Sequence, residues 1–436
     1  MKALTILTFF LTALLYSFAQ MYFPPNNSDE WETILPSELN WCESKIDSLN
    51  IFLEDNNTKA FILLKDGKIV IEEYFNDHSA STNWYWASAG KTLTAYLVGI
   101  AQQENLLSIS DETSDYLGEG WTSATNEQES EITIWHQLTM TSGLDDQVNN
   151  LDCTDPNCLE FLAEAGTRWS YHNAPYTLLT KVIEEASGLT LNAYTNQKVK
   201  NPTGMDGLYV NQGFNAVYIS TARSMARFGL LTLNNGNWNG NSVLNDQNYF
   251  QQMTTTSQSL NKSYGYLWWL NGKDSFLVPQ SQFEFQGSLM PNGPNDLITA
   301  LGLNGQFINV VPSQGLVWIR MGEAPGNDLV PFMLNDAIWE YINDFECNPL
   351  NTMNNKSVDF TVFPNPFNDE LTIKLNGDYK NYSYSLVNTL GETVSTGELT
   401  EKLNFRHLDS GIYYLTILHK KDGGFEKVKS VKVLRR

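Results

Sequence analysis

The chain has 436 residues, 42% of them hydrophobic and 17% charged, with 12 Trp and 20 Tyr, a composition that excludes extended disorder and a length that exceeds one ordinary domain. The net charge of −22 is carried by residues 1–347, with 15 Lys and Arg against 39 Asp and Glu, whereas residues 348–436 hold 12 against 10. Such a field repels phosphate backbones and anionic lipid, which argues against nucleic-acid binding and leaves solubility outside the cell as the plain reading of the charge.

The chain begins Met1-Lys2, runs through apolar residues from Leu4 to Leu15 and reaches small residues at Ser17 and Ala19. This is the layout of a secretory signal peptide over 1–19, with cleavage expected after Ala19. The apolar run is short for a spanning helix and no later segment is longer, so stable membrane insertion is not expected. Apolar residues at 42, 46, 49 and 53 predict a helix over 39–55, and Ala60–Val70 with its Asp66-Gly67 turn and a second run to Phe75 predict a β-hairpin. From about 88 to 260 the pattern is mostly helical, broken by loops rich in Asn, Thr and Gly. Phe307–Val311 and Leu316–Met321 read as strands separated by Pro312-Ser-Gln-Gly, and Pro331–Phe345 as an amphipathic helix. Strands from both ends of residues 20–347 thus enclose a helical block, an α+β arrangement in which a cleft forms between sheet and helices.

After Cys347 the sequence turns polar and aperiodic, which predicts a linker over 348–358. Over 359–436, short alternating segments such as Leu371–Leu375, Tyr382–Val387 and Gly411–Leu418 are separated by Asn-Gly, Leu-Gly and Asp-Ser-Gly turns. They predict a small all-β sandwich.

Ser88 and Lys91 stand three residues apart at the start of an apolar-periodic helix, so their side chains share a face. A serine hydroxyl is a poor nucleophile until a neighbour accepts its proton, and a desolvated lysine can do so. The helix N-terminus adds partial positive charge beside a developing oxyanion. Ser-x-x-Lys alone is a weak signal, because Ser88 is equally suited to capping the helix. It is followed by Gly166-Thr-Arg-Trp-Ser-Tyr171-His-Asn173, and later by Ala300-Leu-Gly302-Leu-Asn-Gly305 just before the 307–311 strand.

Ser-x-x-Lys, Tyr-x-Asn and a glycine-containing strand, in this order, resemble the serine β-lactamases of class C and their relatives: D-stereospecific peptidases, esterases and 6-aminohexanoate-dimer hydrolases. The resemblance spans about residues 40–346 and extends to Ile132–Leu144 and Ser220–Leu230. It implies a β-lactamase/transpeptidase-like α+β domain, an antiparallel sheet with flanking helices and an inserted helical block. It further implies that Ser88 is the acylated nucleophile, that Lys91 and Tyr171 move its protons, and that Asn173 binds the substrate near the scissile carbonyl. The backbone N–H groups of Ser88 and Leu303, the latter just after Gly302, would form the oxyanion hole.

In the family a Lys or His often opens the third motif and holds a substrate carboxylate; here that position is Ala300. The departure counts against β-lactamase or carboxypeptidase activity and favours a small amide or ester lacking that carboxylate, with linear oligoamides and D-amino-acid peptides among the candidates; a β-lactamase or D-aminopeptidase/DD-peptidase is the alternative reading. A non-catalytic penicillin-binding-like sensor or surface binding module is the alternative of another class, and retention of Ser88, Lys91 and Tyr171 together speaks against it. Neither metal nor organic cofactor is implied: His78, His136, His172, His407 and His419 show no metal-binding spacing. His136 reads as structural and His172 as minor, and Ser142-Gly143 reads as a helix-end loop. Tyr266–Leu270 reads mostly as core, with some share in an aromatic site.

Val362-Phe-Pro-Asn-Pro-Phe367, Asn388-Thr-Leu-Gly-Glu392, Leu408–Leu415 and the basic end Val428–Arg436 resemble the type A sorting domain of type IX secretion. This implies export through a secretion machinery that recognises the C-terminal domain. An adhesive or carbohydrate-binding sandwich is the second reading. Four cysteines in an exported chain pair in three possible ways. The Asp155-Pro-Asn turn signal favours Cys153–Cys158. Cys42–Cys347 rests on the resembled fold, whose terminal helices pack side by side.

Overall fold

A computed structural model describes residues 21–326, 330–347, 360–375, 378–389, 392–421 and 424–436. The expected signal peptide, the linker, and the Asn376-Gly377 and Leu390-Gly391 turns lie outside the described residues. The chain divides into two compact units at position 347/348, and each is described by itself.

In the first unit the main elements are α1 (Glu43–Asp55), β1 (Thr58–Lys65), β2 (Lys68–Tyr74), β3 (Trp84–Tyr85), α2 (Lys91–Gln103), α3 (Asn173–Ser187), β4 (Leu208–Gln212) and β5 (Asn215–Ser220). They continue with α4 (Ala222–Leu233), β6 (Trp269–Leu270), β7 (Ile298–Gly302), β8 (Gln306–Val311), β9 (Leu316–Gly322) and α5 (Phe332–Asn343). A six-stranded sheet runs β2-β1-β9-β8-β7-β6, with every neighbouring pair antiparallel. Every residue of β8 and β9 is buried, because helices cover both faces of the sheet, and this is why those strands read as continuous apolar runs. On one face α4 lies against β8 and β9 so closely that a Cβ on Gly229 would stand 2.5 Å from Val317 Cγ1. On the other, α1 and α5 pack together through Phe52 and Tyr341, with ring centroids 4.6 Å apart.

The first helix begins at Glu43 rather than 39. Residues Pro36–Leu39 form a 3-10 turn, and Asn40 then adopts a left-handed φ of 57° that breaks continuity with α1. The block from 88 to 260 departs further from its reading as helix and loop. It contains the β4–β5 hairpin, turned at Gly213, which pairs with β3 in a second sheet of three strands.

Cys42 is disulfide-bonded to Cys347 and Cys153 to Cys158, with Cα separations of 5.0 and 5.8 Å. The first bridge is flanked by backbone hydrogen bonds from Cys42 to Phe345 (2.8 Å) and from Cys347 to Asn40 (2.7 Å). It closes a loop with a sequence separation of 305, for which chain entropy gives a ceiling of about 6 kcal/mol, against about 2 kcal/mol for the short Cys153–Cys158 loop. The double variant C42S/C347S is therefore expected to lower the thermal midpoint well beyond C153S/C158S. Equal midpoints in a melting comparison would show that the long bridge does not restrict the unfolded chain.

The second unit is a β-sandwich. One sheet orders β10 (Phe360–Phe363), β11 (Glu370–Leu375) and β14 (Lys402–Asn404); the other orders β13 (Thr393–Glu398), β12 (Tyr382–Asn388), β15 (Gly411–Lys421) and β16 (Gly424–Arg435). Its core contains Leu371, Ile373, Leu386, Phe405, Leu415 and Ile417.

Candidate active site

Ser88 sits in a 3-10 turn, Ala87–Gly90, that leads directly into α2. At three residues per turn, positions i and i+3 eclipse, which brings Lys91 Nζ to 2.8 Å from Ser88 Oγ. The turn is firmly seated. Trp86 is fully buried, its N–H donates to Tyr218 O (2.9 Å) and its indole N–H donates to Ser220 Oγ (2.8 Å). Ala87 is forced to a φ of +48°, a conformation an L-residue adopts at a cost of about 1–2 kcal/mol.

Residues Lys91–Ala101 of α2 are all buried, so this helix is enclosed around its whole circumference and runs through the core. The Lys91 amine is thereby cut off from water, and burial lowers its pKa to about 7, with the Asp152 carboxylate pulling the other way. The rings of Tyr176 and Tyr171 lie 4.4 and 5.1 Å from Nζ. Burial pushes the Tyr171 phenol well above its ordinary value, with the neighbouring Ser88 hydroxyl pulling the other way. An aromatic collar holds it: Trp269 stacks on Tyr171 at 5.8 Å and 20°, and Tyr264 meets it edge-on at 6.3 Å. At neutral pH the site therefore holds a protonated phenol and an amine poised between its two forms.

Strand β7 closes the opposite wall. Gly302 passes so near the serine turn that a Cβ would stand 2.6 Å from Trp86 O and 3.0 Å from Ala89 N, so the approach requires glycine. The turn that follows is anchored by Arg320, which is fully buried. Its guanidinium donates to the carbonyls of Gly305 (2.7 Å), Asn304 (3.2 Å), Asn56 (2.7 Å) and Glu323 (3.0 Å), and to Thr58 Oγ1 (2.9 Å). Asn304, at a left-handed φ of 61°, donates from Nδ2 to the Tyr85 hydroxyl (2.7 Å).

Ser88, Lys91, Tyr171, Asn173 and Leu303 line one cavity of about 510 Å³, together with Asp152, Tyr176, Trp269 and Leu301. Gly302 does not line it; its part is to let the strand approach. Ala300 is buried beside these residues and is not among the lining, while Leu301 and Leu303 are. Of Tyr266–Leu270, all buried, only Trp269 lines the cavity. His172 is buried, its ring nitrogens have no partner among the described residues, and burial lowers its pKa to about 4. His136 Nδ1 accepts from the Thr133 N–H (3.1 Å) as part of a helix cap. The four cysteines stand apart from the lining. Asp152, Tyr176 and Arg320 were missed from sequence, and only Arg320, a cation inside an apolar run, left a signal there.

A family model described as Beta-lactamase matches residues 57–340, about two thirds of the chain. The chain belongs to the β-lactamase family. A second model, described as a secretion system C-terminal sorting domain, matches residues 361–431 of this β-lactamase-family protein. No curated protein matches it significantly. Among solved structures, a candidate 6-aminohexanoate-dimer hydrolase from Bacillus anthracis is 20% identical with a TM-score of 0.56, covering 74% of this chain and 89% of that one. A candidate β-lactamase from Bacteroides dorei DSM 17855 is 17% identical with a TM-score of 0.56, over 70% and 99%. A penicillin-binding protein homologue from Caulobacter crescentus is 14% identical with a TM-score of 0.53, over 70% and 98%. At these identities the likeness is one of fold.

Proposed function

We propose that this protein is a secreted serine hydrolase that cleaves a small amide or ester through an acyl-enzyme on Ser88. The observation that carries the reading is the 2.8 Å contact between Ser88 Oγ and a Lys91 amine whose pKa burial lowers to about 7. Neutral Lys91 takes the serine proton as Oγ attacks the substrate carbonyl. The N–H groups of Ser88 and Leu303 stabilise the tetrahedral oxyanion. Tyr171, protonated in the resting site, passes a proton to the leaving group and is recharged through Lys91. Water then enters, the same pair removes its proton, and that proton is returned to Ser88 Oγ as the bond from Oγ to the acyl carbon breaks and the acid product is released.

A β-lactamase, D-aminopeptidase or DD-peptidase is the second reading. The absence of a Lys or His at Ala300, with Leu301 and Leu303 on the wall, makes the cavity a poor seat for a carboxylate. Intact-mass analysis with a fluorophosphonate probe, followed by an amide, ester and β-lactam panel, tests the reading. A single adduct on Ser88 with turnover of a neutral amide or ester supports it. An unlabelled, inactive protein would leave a sensor or binding module in its place.

The pH profile follows from the amine. Because Lys91 must be neutral to accept the proton, kcat/KM is expected to rise with pH and level off above about 7. A rate that falls through this range would assign the base to another group.

The sorting-domain match supports export by type IX secretion, with recognition of the C-terminal domain by that machinery and an extracellular or cell-surface destination. Deleting 348–436 is expected to trap the protein inside the producing cell while the purified hydrolase unit keeps its activity. Recovery of the truncated protein in the medium at the parent level would exclude this role.

A further inference from the structure

The turn between β7 and β8, Leu303–Gly305, brings Leu303 to the cavity and carries two left-handed residues, Asn304 (φ 61°) and Gly305 (φ 79°). Its carbonyls are all taken up inside the protein. Leu303 O accepts from Gln306 Nε2 at 3.0 Å, and the Asn304 and Gly305 carbonyls accept from Arg320.

Gln306 is itself fixed. It is fully buried, its Nε2 also donates to Gly322 O (2.7 Å), and its Oε1 accepts from the Gly322 N–H (3.0 Å). Both ends of the amide are thus clamped on the last residue of β9, so it can stand only one way round. Arg320 has no carboxylate partner among the described residues. Its guanidinium instead meets five neutral oxygens, and two of these belong to the turn. A buried cation without a counter-charge demands such dipoles in return. Glycines make room for it: a Cβ on Gly305 would stand 2.4 Å from Nη1, and one on Gly322 2.6 Å from Nη2.

The alternative to this arrangement is a half-turn of the Leu303–Asn304 peptide. It would return Asn304, a residue with a Cβ, to an ordinary φ, and it would take the Leu303 carbonyl off Gln306. At the cavity wall a freed carbonyl repels developing negative charge, which the Leu303 N–H would attract.

We infer that Gln306 and Arg320 are positioning residues for the oxyanion: by holding the turn carbonyls inward they keep the Leu303 N–H, and not the Leu303 carbonyl, at the reacting centre. The inference rests on the reading of the Leu303 N–H as one arm of the oxyanion hole. Neither side chain lines the cavity, so both act through the turn.

The test uses the full chain with an activated aryl ester and its thionoester, which carries C=S in place of the scissile C=O. Sulfur is a weak hydrogen-bond acceptor, so the ratio of the two kcat/KM values reads the oxyanion hole and is blind to the fraction of protein folded. In Gln306→Met the kcat for the ester is expected to fall at least about tenfold with KM within about threefold, and the ester-to-thionoester ratio should fall by a like factor. Arg320→Lys keeps the charge but has too few donors for the oxygens it must satisfy, and should lower the same ratio. Fluorophosphonate titration of Ser88 counts the competent sites in each variant. If neither variant folds, the parent decides. In a crystal of its arylboronic-acid adduct on Ser88, Leu303 N should lie within about 3 Å of a boronate oxygen while Gln306 Nε2 stays on Leu303 O.

An unchanged ratio in either folded variant, or a Leu303 carbonyl that leaves Gln306 in the adduct, would overturn the positioning role. With Ser88 labelled and the ester hydrolysed, that result leaves the hydrolase reading standing. If Ser88 takes no probe and no ester is turned over, the hydrolase reading fails and the positioning role falls with it.

Discussion

Ser88→Ala is expected to reduce turnover by at least about 10⁴-fold, to the level left by binding and oxyanion stabilisation alone. No other group takes its place: the next hydroxyl in the site, Tyr171, has its pKa raised by burial and is held by its aromatic collar. The fold should survive. Ser88 is partly exposed, its turn is held by Trp86, and the lost hydroxyl removes a hydrogen bond worth roughly 1 kcal/mol. Steady-state rates with a melting curve check both halves. Activity within tenfold of the parent in a folded variant would remove Ser88 from the chemistry.

The second large effect concerns Lys91 and Tyr171. Each of Lys91→Ala and Tyr171→Phe is expected to slow acylation by about 10²–10⁴-fold, and the double variant should be little slower than the worse single one, because groups that act as one unit are not additive. Single-turnover release of a chromogenic leaving group measures this, and multiplicative losses would mean that the two act on separate steps.

Lys91 also leaves a thermodynamic trace. Its folded pKa, about 7, lies below the 10.5 of the free side chain, so between these values the unfolded chain binds more protons than the folded one. Stability of the parent relative to Lys91→Ala should therefore rise as pH climbs from about 7 towards 10. The penalty for burying the amine is fully felt below that range. A flat difference across denaturation series at several pH values would show that the amine does not lose its proton on burial.

How much was legible in the sequence depended on where the physical signal lay. The β1–β2 hairpin and strands β8 and β9 were readable because each is a dense apolar run ended by a turn. The β4–β5 hairpin was not. Its strands are largely exposed or half-buried at the rim, so they carry polar residues that resemble the loops around them. In the site, Ser88, Lys91, Tyr171 and Asn173 were recognisable because they fall in the ordered Ser-x-x-Lys and Tyr-x-Asn motifs of the resembled family, and they line one cavity. Leu303 was placed only by its distance from Gly302, since a backbone N–H has no residue signature. Asp152 was invisible because it stands in an aperiodic polar loop and enters the cavity through a disulfide and one backbone hydrogen bond.

The strand order of the large sheet carries a consequence for biogenesis. β1 finds one neighbour, β2, within a few residues, but its other neighbour is β9, where Thr58 meets Gly322. Until β9 has been synthesised, an almost wholly apolar strand edge stays open, a ready template for pairing with another chain. The contacts that complete the sheet are non-local and slow to form. The first unit therefore completes its sheet only once β9 has been made, and any chain ending before β9 carries this open apolar edge.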